Sequence, residues 1–234
     1  MTYCVGVNLR QGLVFGSDSR TNAGIDQISR YCKMRVFETE GERLIATLSS
    51  GNLSITQNAL NLIEYRSRKN PEAANFHRCT SMFQVATMLG DAMREVRQRD
   101  LESLRASHID ASASFIVGGQ IAGEAPRLFL IYSDGNFIES GEETPYFQIG
   151  EIKYGKPILD RVIRFDTALP HAAKCVLVSF DSTHALQPLR RPADRLPGVR
   201  ARQLPHPHQP AHRGKRCLSE GTGRVLERRP DRVA

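Results

Sequence analysis

The periodicity of the apolar residues changes twice along this chain, and that order limits the folds open to it. Tyr3 to Asn8 alternates as a strand and Leu13 to Gly16 resumes after Arg10-Gln11-Gly12, so the pair reads as a hairpin. Met34 to Phe37 and Leu44 to Ser49 form a second pair across a polar turn. After Ser50-Gly51-Asn52 the spacing becomes helical: Leu53, Thr56, Leu60 and Ile63 share one face, with Asn52 placed as an N-cap. Met82, Val85, Met88, Leu89, Met93, Val96 and Leu104 mark a second amphipathic helix. Period two then returns at Ser112 to Val117, Leu128 to Tyr132, Phe137 to Glu139 and Tyr146 to Ile149, with Asp134-Gly135 at the centre of a hairpin turn. A short helix is expected over Ile158 to Arg164, a further helical piece through Lys174, and a buried strand over Cys175 to Phe180. Strands, then helices, then strands predict packed sheets with helices outside, an α+β layered domain.

Charge excludes one class of function. The chain of 234 residues carries a formal net charge of +7, which by itself would suggest nucleic acid. Residues 184–234, however, hold 12 Lys+Arg against 4 Asp+Glu, whereas residues 1–183 hold 20 against 21. The body therefore has no basic footprint for phosphate. The same segment, 184–234, contains 7 of the 12 prolines and no aromatic residue. It is expected to be a disordered tail, because it has too little apolar surface to offset the entropy of ordering.

No apolar run approaches the ~20 residues of a membrane helix, and the start lacks a secretory pattern, so a cytoplasmic location is expected. Five cysteines at positions 4, 32, 79, 175 and 217 show no CxxC pair, which argues against a zinc site or a disulfide framework. Most of them read as small buried apolar residues.

Thr2 carries the chemistry. Removal of Met1 would leave an amine and a hydroxyl on one residue, a base beside a nucleophile. Met-Thr openings are common, so the remaining motifs decide. Thr2 at the start of a strand, Gly16-Ser17-Asp18-Ser19-Arg20 at a hairpin end, Lys33 before a strand and Ser49-Ser50-Gly51 before a helix together resemble the proteasome β-type N-terminal nucleophile hydrolases. Met1-Thr2-Tyr3-Cys4-Val5-Gly6 and Phe180-Asp181-Ser182-Thr183 are similar to the bacterial branch called Anbu, a relative of HslV. The likeness covers roughly residues 1–183.

The resemblance implies a four-layer αββα sandwich of two antiparallel sheets over residues 1–183. It also implies a threonine peptidase acting on peptides or unfolded proteins, and a homo-oligomeric ring or open spiral. Thr2 is implied as nucleophile, Lys33 as the cation beside it, Asp18 as the partner of Lys33, and Gly51 as the oxyanion donor. Glu151 stands where related proteases place a serine near the threonine amine, and Asp181 and Ser182 match the start of a later Asp-and-Ser cluster. These three are candidates for a supporting role. The chemistry calls for no cofactor and no metal, and no nucleic acid or membrane partner is expected. The residues carry no signal for or against an ATPase partner. Alternatives are an amidase of the same mechanism acting on a small molecule, or a catalytically silent assembly subunit.

The likeness ends where the Arg/Pro/His-rich composition begins, so residues 184–234 are read as the product of a frameshift near codon 184. An apolar strand encoded in another frame downstream of that codon is expected; early stops in both other frames would remove the idea.

Overall fold

The computed structural model describes residues 2–18, 20–22, 28–70 and 72–185, together with three short tail strands at 198–202, 216–219 and 224–227. β1 (Tyr3–Leu9) and β2 (Gly12–Ser17) form the expected hairpin. Short β3 (Arg20–Asn22) and β4 (Ile28–Arg30) pair with each other, and β5 (Met34–Thr39) pairs with β6 (Arg43–Gly51). Helices α1 (Leu53–Lys69) and α2 (Met82–Ala106) follow, then β7 (Ala113–Ile121), β8 (Arg127–Ile131), β9 (Phe137–Glu139) and β10 (Tyr146–Gly150). Two more helices, α3 (Lys156–Val162) and α4 (Leu169–Ala185), complete the body. The first sheet runs β10-β1-β2-β11, with β11 at Gly198–Arg202, and the second runs β5-β6-β7-β8-β9. The pairings described in both sheets are antiparallel.

Strand alternation sorts the core into three apolar layers. Odd residues of β1 (Tyr3, Val5, Val7 and Leu9) pack with Leu159, Ala172, Val176 and Phe180 of α3 and α4. Cys4, Leu13, Phe15, Leu48, Ile116, Leu128 and Ile149 fill the space between the sheets. Ile45, Phe115, Val117, Phe129 and Ile131 point the other way, onto Ile55, Leu60, Val85, Leu89 and Met93 of α1 and α2. Helix, sheet, sheet and helix are thus stacked in the αββα order, because each strand of period two must cover two apolar faces.

The helices start where their caps dictate. The Asn52 side chain accepts the N–H groups of Ser54 and Ile55 at 3.0 and 3.4 Å, as its place in the sequence predicts. Ser81 caps α2 by accepting the Gln84 N–H at 3.1 Å. At the β8–β9 turn, Gly135 N–H donates to the Tyr132 carbonyl and Tyr132 N–H to the Asn136 carbonyl, closing the hairpin.

One expectation is corrected. Cys175 to Phe180 is not a strand but the middle of α4, where Ala172, Val176, Ser179, Phe180 and Thr183 recur on one buried helical face. A short apolar run fits both periods, and only the flanking residues reveal the longer one. In the tail, Gly198–Arg202 lies against β2, and β12 (Arg216–Ser219) pairs with β13 (Arg224–Glu227). Ladder bonds need only backbone groups, so a sheet edge can be covered without an apolar sequence. Apart from the end of α4, the remainder of 184–234 lies outside the described residues.

Leu48 is fully buried between the sheets. Leu48→Ala is expected to cost about 2–5 kcal/mol through lost burial and the cavity left behind, read as a lower midpoint in urea unfolding with an unchanged slope.

Candidate active site at the end of the sandwich

One end of the two sheets collects the residues singled out near the chain start. Thr2 precedes β1 and is half-buried, and its carbonyl accepts the Glu151 N–H at 2.7 Å. That bond extends the β1–β10 ladder one step past the Tyr3–Gly150 pair. Gly150 makes the approach possible. Its φ is +88°, and a Cβ there would lie 1.9 Å from the Thr2 carbonyl oxygen. An L-residue there would push Thr2 out of line.

The opposite side of β1 holds Asp18. Its N–H donates to the Tyr3 carbonyl at 3.1 Å, and its Oδ1 accepts the Tyr3 N–H at 3.2 Å. The same Oδ1 accepts Lys33 Nζ at 2.7 Å. Lys33 belongs to the other sheet: it directly precedes β5, and its carbonyl accepts the Ser49 N–H at 3.1 Å, extending the β5–β6 ladder. The ion pair therefore joins the two sheets. Its side chains are only 4% and 6% exposed, so each charge depends on the other for the hydration both have lost.

Gly51 ends β6 opposite Ala113, exposed and with φ +93°. A Cβ there would meet the Ser112 carbonyl oxygen at 2.3 Å, which again restricts the position to glycine. Ser50 beside it faces the same end, its Oγ 3.2 Å from the point a Gly150 Cβ would occupy. Thr2, Asp18, Lys33 and the backbone of Glu151 thus come together from four separate parts of the sequence.

Some candidates do not join them. The Glu151 carboxylate accepts the Lys153 N–H at 3.4 Å, so it is the backbone of this residue that touches Thr2. Asp181 is exposed on α4 and Ser182 half-buried there, and no described contact links either to Thr2. Among the described residues, no cluster of His, Cys, Asp or Glu could hold a metal ion, and no helix is long and apolar enough to cross a membrane.

Cys4 is fully buried beside the ion pair, its thiol donating to the Ser49 carbonyl. Burial first, then the Asp18 carboxylate, push its thiol well above the usual range, against a smaller pull from Lys33. Tyr3 was not singled out from the sequence, where it reads only as one more inward residue of an alternating strand. Its buried hydroxyl donates to Ser179 Oγ at 3.1 Å and accepts from Gln148 Nε2. Burial raises that phenol to about 12, with both hydrogen bonds pulling the other way.

No protein-family model and no curated protein matches the sequence, but solved structures do. Anbu (ancestral beta-subunit) from Yersinia bercovieri is 48% identical, with a TM-score of 0.72, over 79% of this chain and 76% of that one. The helical assembly of the Anbu complex from Pseudomonas aeruginosa gives 48% identity and a TM-score of 0.74 over the same shares. Anbu from Hyphomicrobium sp. strain MC1 gives 47% and 0.70, over 78% and 75%. This chain belongs to the Anbu family. Anbu membership accounts for the αββα layers and gives the corner at Thr2 its context.

Asp18→Ala would take the carboxylate away from a buried ammonium, at an expected cost of about 3–5 kcal/mol. The double variant Asp18→Ala/Lys33→Met should recover much of that loss. Chemical denaturation of the three proteins reads both effects.

Proposed function

We propose that this Anbu chain is an N-terminal threonine peptidase of the proteasome type, hydrolysing peptide bonds of peptides or unfolded proteins in the cytoplasm. One observation carries the reading. Asp18 Oδ1 is shared between Lys33 Nζ and the N–H that follows Thr2, which ties a buried cation to the residue bearing the hydroxyl.

The chemistry follows from the groups present. Loss of Met1 frees the Thr2 amine, whose ordinary pKa of about 7.7–8.0 leaves a useful neutral fraction near pH 7.5. The amine takes the Oγ proton, directly or through a water, as Oγ attacks the peptide carbonyl. The Lys33 ammonium lowers the cost of negative charge developing on Oγ, and Asp18 keeps it aimed. The Gly51 N–H holds the oxyanion. The C–N bond then breaks, the leaving amine takes the proton, and an acyl ester remains on Thr2. Water, deprotonated by the same amine, cleaves the ester and restores the hydroxyl.

The Anbu complex of Pseudomonas aeruginosa forms a helical assembly. By extension this chain assembles with copies of itself, as a ring or open spiral with the Thr2 sites facing an enclosed space.

Intact mass should show Met1 absent from the active protein. Thr2→Ala should assemble normally yet lower peptide hydrolysis by more than about a thousandfold. Undiminished peptide turnover in that variant would defeat the assignment. Turnover of small amides alone would favour the amidase, and an inert wild type that still assembles would favour the silent subunit.

A further inference from the structure

The Thr2–Tyr3 peptide plane is clamped at both ends, its carbonyl by the Glu151 N–H and its own N–H by Asp18 Oδ1. What fixes the strand beyond that plane is the Tyr3 side chain. Its ring is 2% exposed and leans on Phe180 with the centroids 4.7 Å apart. The hydroxyl stands in the middle of a directed chain: Gln148 Nε2 donates to it, it donates to Ser179 Oγ, and Ser179 donates to the Val176 carbonyl at 2.7 Å. Ser179 is fully buried. Gly155, which caps α3, stands so near that a Cβ on it would lie 2.1 Å from the phenol oxygen. Three elements, β10, α3 and α4, therefore meet at one oxygen on the residue after Thr2.

We propose that Tyr3 is a positioning residue for the Thr2 nucleophile, and that α4 sets where Thr2 stands through the Ser179–Tyr3 hydrogen bond. This rests on the peptidase reading of the same site. Strand ends fray most easily, and Thr2 is such an end, so its precision is inherited from the residue that pegs the strand into the helix layer. A misplacement of the order of 1 Å at a reacting atom costs roughly a hundredfold in rate, whereas substrate contacts made away from that atom are left intact.

The test uses the full chain and a β-lactone, whose ring opens when Thr2 Oγ attacks its carbonyl. The ring oxygen leaves as a hydroxyl, so intact mass rises by the whole lactone. Tyr3→Phe and Ser179→Ala should each slow this acylation by about ten- to a hundredfold, and lower kcat for peptides with KM little changed. The double variant should be no slower than either single one, since both remove the same bond. Ser179→Thr, which keeps the hydroxyl, should restore most of the rate. Tyr146→Phe, which removes a neighbouring phenol held by Asp160, should leave the rate unchanged. Should Tyr3→Phe fail to fold, Ser179→Ala keeps the ring in place and carries the same comparison. Wild-type rates in folded Ser179→Ala would overturn the inference alone. A wild type that takes no lactone on Thr2 would overturn the peptidase reading, and this inference with it.

Discussion

A single carboxylate oxygen holds this corner of the molecule together. Asp18 Oδ1 accepts from the backbone of one sheet and from a buried lysine of the other, so it ties the two together at this end. In bulk water such a pair would be worth little. With both side chains almost wholly removed from solvent, losing either one costs the other a close opposite charge that water would otherwise replace. The need to satisfy those charges fixes how Lys33, Asp18 and the start of β1 sit relative to one another. Thr2 stands within this arrangement, between the Asp18 side of β1 and the glycine of β10.

The three apolar layers give that corner its rigidity. The β1–β2 hairpin lies between them, with Val5 and Val7 under the outer helices and Phe15 against the second sheet. A site on such a strand moves only if a packed layer moves, which is the condition for holding reacting groups to within fractions of an ångström. The glycines at 51 and 150 both sit where backbones approach one another closely.

Much of this was legible in the residues. Alternation at Tyr3 to Asn8 and helical spacing from Leu53 and Met82 reflect faces that must be covered, and such periods survive in any sequence that folds this way. Asn52 could be read as a cap because its side chain acts on its own neighbours. Cys175 to Phe180 misled because six apolar-rich residues satisfy both periods. Tyr3 with Ser179 was invisible for a different reason: the partners lie 176 positions apart, and nothing local marks a hydrogen bond at that range. Thr2, Asp18 and Lys33 were found by likeness to a family, not by physics alone; their mutual geometry comes from the fold.

The division of the ion pair between two sheets has a further consequence. Neither sheet alone contains both the cation and the residue it would activate, so the reactive centre comes into being only when the sandwich closes. On the proposed chemistry, a half-folded chain emerging from the ribosome carries an ordinary, harmless threonine. On that chemistry, the packing that would make the enzyme work also keeps the unfinished chain inert.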